Sequence, residues 1–548
     1  MTELVHELIA SRADTGGEQP ALRYRDEVLG YSQLWQVVQQ VANGLLATGI
    51  GSGERVAVYL PKQIETVAAL FGASCAGACF VPINPLLKPR QVSYILDHCH
   101  ARILITSSQR LQILADEIAN WQSVHTLIVV GDLADGRAGH SVKDNLAKRV
   151  VPWSVLAEAR YRQGHRRIDS DMAAILYTSG STGNPKGVVL SHRNIVAGAR
   201  SVAQYLKNTS SDRILAVLPL SFDAGLSQIT TAFYVGASVA LMDYLLPQDV
   251  LRALVQYRIT GLAAVPPLWN QLVQAPWPEE IAGCLRYITN TGGAMPEKTT
   301  RTLAQRLPNT DIFLMYGLTE AFRSTYLPPD QVALRPRSIG KAIPNAEILV
   351  VNEAGQLCGP DEPGELVHRG VLVALGYWND REKTAERFRP CPGQDPNLPV
   401  PELAVWSGDQ VIMDNEGYLY FVSRKDDMIK TSGYRVSPTE IEEVAYASGV
   451  VAAAAAMGAP HEQLGQVILL VVTPADAGVA NTDTANADTE AVIKALASYC
   501  QKELPSYMQP GKIIVRETMP HNQNGKIDRR ALAAEYLPAP SHQDGTTR

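Results

Sequence analysis

Seven cysteines are scattered through 548 residues. Cys75 and Cys79 stand one helical turn apart, but no second pair or histidine cluster completes a zinc set. Free thiols in a reducing compartment are the plain reading, and a disulfide framework is not expected. An excess of positive charge is missing too. Lys and Arg number 49 against 55 Asp and Glu, so the net charge is −6, and the chain has no general attraction for nucleic acid or anionic lipid. The segment Met1–Pro20 lacks the basic and apolar regions of a signal peptide and reads as a short amphipathic helix. The longest apolar stretches, such as Val67–Ile83, are broken by Ser, Gly and Pro and are too short to cross a membrane. The expectation is a cytoplasmic protein with no nucleic-acid partner and no membrane partner. A Walker A loop is also absent, which argues against a P-loop nucleotidase.

What is present is ordinary apolar content, 46%, in a chain long enough for two or more domains. Short β-branched runs, RVAVYL (55–60), ARILITS (101–107), HTLIVVG (125–131) and RILAVLP (213–219), read as buried parallel strands. Between them lie helical windows such as IETVAALFGASCAG and RNIVAGARSVAQYL. The alternation predicts an α/β architecture, with mostly parallel sheets flanked by helices in a large N-terminal domain. EILVVNEAGQ and GYLYFVSRKDDMIK have strand–turn–strand character. After Arg424 the pattern restarts on a small scale. SPTEIEEVAYAS is a predicted helix with Ser437 as cap and Pro438 at its first position. VVAAAAAMG and QVILLVVTP are predicted strands, and TEAVIKALASYCQKEL a helix, together enough for a small α+β domain. The segment 474–491 reads as a surface loop and the last dozen residues as a frayed end.

The strongest local signal is ILYTSGSTGNPKGVVLSH (175–192), an apolar strand running into a loop of Ser, Thr and Gly and then Lys186. Glycines let backbone N–H groups encircle phosphate oxygens, hydroxyls add donors, and lysine supplies charge. This stretch resembles the signature of the acyl-adenylate superfamily, which holds acyl- and aryl-CoA synthetases, nonribosomal-peptide adenylation domains and firefly-type luciferases. The resemblance covers nearly the whole chain because further motifs recur in order. VYLPKQIETVAALF, INPLLKPRQVSYIL, LPLSFDAGLSQITTAF and MYGLTEAFRSTYLPP are similar, more narrowly, to acyl-CoA ligases associated with exosortase-A exopolysaccharide clusters.

The resemblance implies a division at residues 1–425 for ATP and acid binding and 426–548 for a mobile domain carrying a catalytic lysine. It implies that Thr178, Ser179, Gly180, Ser181, Thr182, Gly183 and Lys186 cradle the triphosphate. Gly292 and Gly293 of TNTGGAMP would lie along adenine, with Tyr316 stacked on it; Gly317 would also bind the nucleotide, and Gly292 and Gly317 would border the acid as well. Thr319 would bind phosphate and Glu320 would hold Mg²⁺, because an attack at the α-phosphate brings two anions together. Asp409 and Arg424 would hold the ribose hydroxyls. Asp426 would be the hinge, and Gly433 would border the tunnel of the incoming thiol. Lys526 of HNQNGKIDR would stabilise charge on the carboxylate and α-phosphate, then swing away for thioester formation.

The substrate is the least legible part. Phe222 and Asp223 look like the pair of amino-acid-activating domains, where the aspartate meets the ammonium group. A carboxylate in an apolar pocket is costly unless it meets a cation, which favours an amino acid or another amine-bearing acid. The bland alternative is that Asp223 caps the next helix or pairs with a protein group. The predicted activity is ATP-dependent acid–thiol ligation. An acyl-AMP forms with release of pyrophosphate, and the acyl group passes to the phosphopantetheine of a carrier protein or to CoA. APHEQLGQ (459–466) departs from the common pattern near the thiol, so a carrier protein is expected, supplied in trans. A fatty- or aryl-acyl-CoA ligase using free CoA is the alternative, and a luciferase-like oxygenase is a remoter one.

Overall fold

The computed structural model describes residues 2–131, 148–178, 185–424, 428–431, 434–461, 464–475, 485–504, 506–522 and 525–537. Two large sheets enclose a layer of buried helices. In one, of eight strands, Cys79–Pro82, Arg55–Tyr59, Ala101–Ser107, Thr126–Val130 and Arg149–Pro152 run parallel. In the other, of fourteen, Ser238–Leu241, Arg213–Ala216, Gly261–Ala264, Tyr287–Asn290 and Asp311–Tyr316 run parallel. These short β-branched runs are covered on both faces, which is why they show no polar alternation.

The parallel expectation needs a correction at the flanks. Beyond Asp311–Tyr316 the larger sheet continues antiparallel through Thr325–Leu327, Ser338–Ala342, Leu419–Arg424, Leu403–Met413, Gly364–Gly370 and Ala346–Val351. Turns rather than helices join several of these strands, and antiparallel pairing is the geometry a short connection permits.

The helices between the sheets are buried almost all round. Phe71 of Ile64–Ala76, Ile195 of His192–Tyr205 and Phe233 of Asp223–Val235 share one core with Val58 of the smaller sheet and Val239 of the larger. Each such side chain contributes about 2 kcal/mol on burial. The helix Asp223–Val235 starts after an extended Phe222 and ends at Gly236, whose φ of +81° suits a residue without a side chain. Its third residue, Gly225, lies so close to the preceding turn that a Cβ would stand 1.9 Å from the Pro219 carbonyl oxygen.

The residues after 428 build a separate five-stranded sheet from Tyr434–Val436, Ile429–Thr431, Gly465–Pro474, Val451–His461 and Lys512–Val515. Along Val451–His461, Ala454 and Ala456 face one core with Ile441 and Leu496, while Ala455 and Met457 face another with Leu532. Helices cover both faces, so an alanine-rich run that favours helix in isolation is held as a strand. Two local expectations fail. Ser437 makes no cap bond to the helix Pro438–Ala447, because its hydroxyl donates instead to the Val422 carbonyl. The proposed loop 474–491 ends early, since the helix Ala485–Glu503 already occupies its second half. Among the described residues no helix is long and apolar enough to cross a membrane.

Candidate active site

The strands Met172–Thr178 and Lys186–Ser191 form an antiparallel hairpin in which Thr178 pairs with Lys186. Ser179, Gly180, Ser181, Thr182 and Gly183 lie outside the described residues, as do Asp426 and Gly433. The hairpin nonetheless places Thr178 and Lys186 side by side at the mouth of the smaller sheet. The Lys186 ammonium sits 5.5 Å from the centre of the Tyr377 ring. Burial lowers its pKa, and the neighbouring Lys383 and Arg387 lower it further.

Tyr377 belongs to the short strand Gly376–Tyr377, which pairs with Lys186–Ser191. Its hydroxyl donates to Glu320 Oε1 at 2.5 Å. Glu320 sits in the single helical turn Thr319–Ala321, just beyond the strand Asp311–Tyr316 of the other sheet. This hydrogen bond therefore links the two sheets across the cleft, with Thr319 buried beside it.

Tyr316 ends its strand with its hydroxyl donating to Asp409 Oδ2 at 2.5 Å. The antiparallel register sets Asp409 opposite Arg424, whose Nε donates to Asp409 Oδ1 at 3.0 Å. Asp409 is 5% exposed. Burial raises the Tyr316 pKa well above the ordinary phenol value, and the adjoining Asp409 carboxylate adds to it. The phenol thus stays protonated as a donor.

Gly292 follows the strand Tyr287–Asn290 with φ +80°, and Gly293 accepts through its carbonyl from Asn290 Nδ2 at 2.9 Å. A Cβ on Gly292 would stand 3.1 Å from Lys526 Cε and 3.8 Å from Phe222 Cζ. Lys526 is thus presented from the C-terminal unit into the cleft of the N-terminal one. Its own turn is tied by the Lys526 amide donating to Asn522 Oδ1 at 3.1 Å and the Asn522 amide donating to the Lys526 carbonyl at 2.7 Å. Burial lowers its pKa, Asp223 opposes that, and Arg424, Asp409 and Glu320 also act on it.

Asp223 is the first residue of its helix and does pair with a protein group. Its Oδ2 accepts from Arg323 Nη1 at 3.2 Å, with both side chains about 4–5% exposed. Burial raises the Asp223 pKa, against the pull of Arg323 and Lys526. Arg323 escaped sequence reasoning, since an arginine three residues beyond the T-E pair has no periodic or spacing signal. Lys383 and Arg387 escaped it as well. They lie on the short helix Arg381–Arg387, where Arg387 Nη1 donates to the Trp406 carbonyl at 2.8 Å.

The hairpin ending at Lys186, the turn bearing Glu320 and the inserted Lys526 thus face one cleft, in the fold of adenylate-forming enzymes. The same fold occurs in the crystal structure of the anthranilate CoA ligase AuaEII in complex with anthranoyl-AMP (TM-score 0.84, 24% identity, 98% of each chain). It recurs in ATP-bound MatB from Rhodopseudomonas palustris (TM-score 0.81, 23% identity, 97% of this chain and 99% of that one).

The chain belongs to the AMP-binding enzyme family. The family model matches residues 9–378 and the model of its C-terminal domain residues 440–526. It is 31% identical to the L-proline–[L-prolyl-carrier protein] ligase of Streptomyces coelicolor, over 95% of this chain and 94% of that protein. It is 28% identical to the long-chain-fatty-acid–CoA ligase of Salmonella typhimurium, over 96% and 94%. Against gramicidin S synthase 2 of Brevibacillus brevis the identity is 28% over 99% of this chain, but the chain spans only 11% of that protein's length.

Proposed function

We propose that this chain is an ATP-dependent acid–thiol ligase that activates an amine-bearing carboxylic acid as its acyl-AMP. The observation that carries the reading is the insertion of Lys526 beside Gly292, within the electrostatic reach of Asp223, Glu320, Asp409 and Arg424. In this reading residues 1–425 hold ATP and acid, and residues 426–548 move as a unit about Asp426. Support comes from the separate sheet and cores built after residue 428.

ATP is held along the cleft. Asp409 and Arg424 grip the ribose, Tyr316, Gly292, Gly293 and Gly317 frame adenine, and the 178–186 hairpin with Lys186 and Thr319 takes the phosphates. Lys383 and Arg387 add two cations to that end. Magnesium is implied by the chemistry, and the donor set fits it. A Mg²⁺ carried with triphosphate needs one or two carboxylates, and Glu320 is one, oriented by Tyr377. When bound, the ion neutralises charge on the phosphate oxygens. Lys526 holds the acid's carboxylate against the α-phosphate and offsets the negative charge that grows there, while burial keeps water from competing. A carboxylate oxygen bonds to the α-phosphorus and the bond to the pyrophosphate leaving group breaks. A thiol then attacks the acyl carbon and AMP departs, with Gly433 bordering the approach of the thiol.

The acceptor is the pantetheine of a carrier protein supplied in trans. The carrier-protein ligase among the relatives supports this, as it matches this chain nearly end to end. One observation favours a second reading, an aryl- or fatty-acyl-CoA ligase: Arg323 already neutralises Asp223, so the carboxylate does not demand an ammonium group. Substrate-dependent ATP–pyrophosphate exchange over amino acids and plain acids, repeated with Asp223→Ala, separates the two. Exchange confined to amino acids and lost in the variant supports the first reading. Exchange with apolar acids, indifferent to the variant, establishes the second.

A further inference from the structure

A small cavity of about 30 Å³ lies between the helices His192–Tyr205 and Asp223–Val235 and the parallel strands of the larger sheet. Ser227, Thr231, Thr289, Thr291, Met315 and Arg323 are among the residues lining it. Val202, Leu206, Ile214, Ala224 and Ala263 complete its apolar walls, into which these hydroxyls and one guanidinium are set. Among the described residues, Asp223 Oδ1, Arg323 Nε and Thr289 Oγ1 are buried and have no hydrogen-bond partner. Arg323 and Thr289 line the void and Asp223 is the ion-pair partner of Arg323, and buried polar atoms left unpaired beside a void point to a ligand that completes them.

The backbone is also shaped to place Arg323. Phe322 holds φ +56° and ψ −44°, a conformation that L side chains avoid. Its fully buried ring fills the space beside Gly198, where a Cβ would come within 2.5 Å of Phe322 Cδ1. That packing holds the strained residue and turns the chain so that the next side chain enters the cleft.

From this arrangement we infer that Arg323 is the specificity-determining residue of the acid site and that the substrate is a small amino acid with a side-chain carboxylate, of aspartate size. The inference rests on the acid-activating reading above. Three fixed charges face the substrate: Lys526 positive, Asp223 negative, Arg323 positive. An acidic amino acid brings the complementary set, with its α-carboxylate at Lys526, its ammonium at Asp223 and its side-chain carboxylate at Arg323. The cavity suits the last of these, since about 30 Å³ admits roughly two water-sized groups, the number of oxygens in one carboxylate. A guanidinium is the cation matched to such a group, through its planar fork of donors. Without substrate, Asp223 and Arg323 neutralise one another, which keeps either charge from standing alone in a buried site.

The test uses the full chain and four sulfamoyl-adenosine probes carrying aspartyl, asparaginyl, leucyl or dodecanoyl groups, with binding measured by calorimetry. The aspartyl probe should bind about 30-fold or more tightly than its neutral asparaginyl isostere, the scale of a lost charge-assisted hydrogen bond. Arg323→Met should abolish that preference. Because Arg323→Met strands the Asp223 carboxylate and risks misfolding, the double variant Asp223→Asn/Arg323→Gln, which removes both charges and strands neither, is measured beside it. It should bind the aspartyl and asparaginyl probes alike. Wild-type protein that binds the leucyl or dodecanoyl probe as well as the aspartyl one overturns the inference and leaves the ligase reading standing. Binding of no probe, together with no pyrophosphate exchange on any acid, sinks both.

Discussion

Replacing Lys526 by alanine removes the cation that the C-terminal unit inserts into the cleft. The lysine stem lies against Gly292, 3.1 Å from where a Cβ would be, so its ammonium is preorganised and needs no reorganisation when charge develops. Single preorganised donors in dry sites are worth about 3–4 kcal/mol, or roughly 10²–10³ in rate. Substrate-dependent ATP–pyrophosphate exchange should fall by that factor. Thioester formation from chemically supplied acyl-AMP should fall by less than about threefold, because the proposed second step proceeds with the lysine withdrawn. The pH profile gives an independent check. Burial lowers the Lys526 pKa from 10.5, and only the protonated form stabilises the anion. Exchange measured as kcat/KM, which reports the free enzyme, should therefore decline on the alkaline side before an ordinary lysine would titrate. Equal loss in both half-reactions, or an alkaline limb unmoved by the substitution, refutes the assignment.

Three further outcomes follow from the geometry. Asp409→Ala removes the acceptor of both Tyr316 and Arg424 and should raise the KM for ATP roughly 10–100-fold, read from the ATP dependence of exchange; an unchanged KM would remove Asp409 from the nucleotide site. Gly225→Ala places a methyl 1.9 Å from the Pro219 carbonyl oxygen and should cost about 2–4 kcal/mol, seen as a lower melting temperature, whereas the exposed Gly355→Ala should cost about 1–2 kcal/mol, from its left-handed φ of +78° alone. Lys62 is buried against Asp243 and the Val217 carbonyl, and its pKa falls from 10.5 to about 8. Between those values the unfolded chain binds a proton that the folded one does not, so this residue makes stability rise with pH there, by about 3 kcal/mol in all. Lys62→Met should flatten that rise in denaturant titrations between pH 8 and 10.5, and an unaltered slope would contradict the burial argument.

Much of this was readable in one dimension. The hydroxyl- and glycine-rich run ending at Lys186, the Y-G-L-T-E turn and the α/β alternation depend on neighbours within a few residues, where periodicity and turn chemistry act. The strand predicted at VVAAAAAMG is present as Val451–His461, although alanine by itself favours helix. Ser437 was misread as a cap because its hydroxyl could bond either the helix start or a distant carbonyl, and only packing decides between them.

The amino-acid sequence by itself determined the class of chemistry: the hairpin ending at Lys186, the Glu320 turn and the lysine loop are local patterns whose backbone needs are written in consecutive residues. Tertiary structure decided what those groups meet. It paired Tyr316 with Asp409, Glu320 with Tyr377 and Asp223 with Arg323, across 93, 57 and 100 residues of chain. It brought Lys383 and Arg387 to Lys186 and carried Lys526 to Gly292. Such pairings follow from which strands and helices become neighbours when two sheets close on one layer of helices. That choice is made by burial summed over the whole core, and no short segment encodes it.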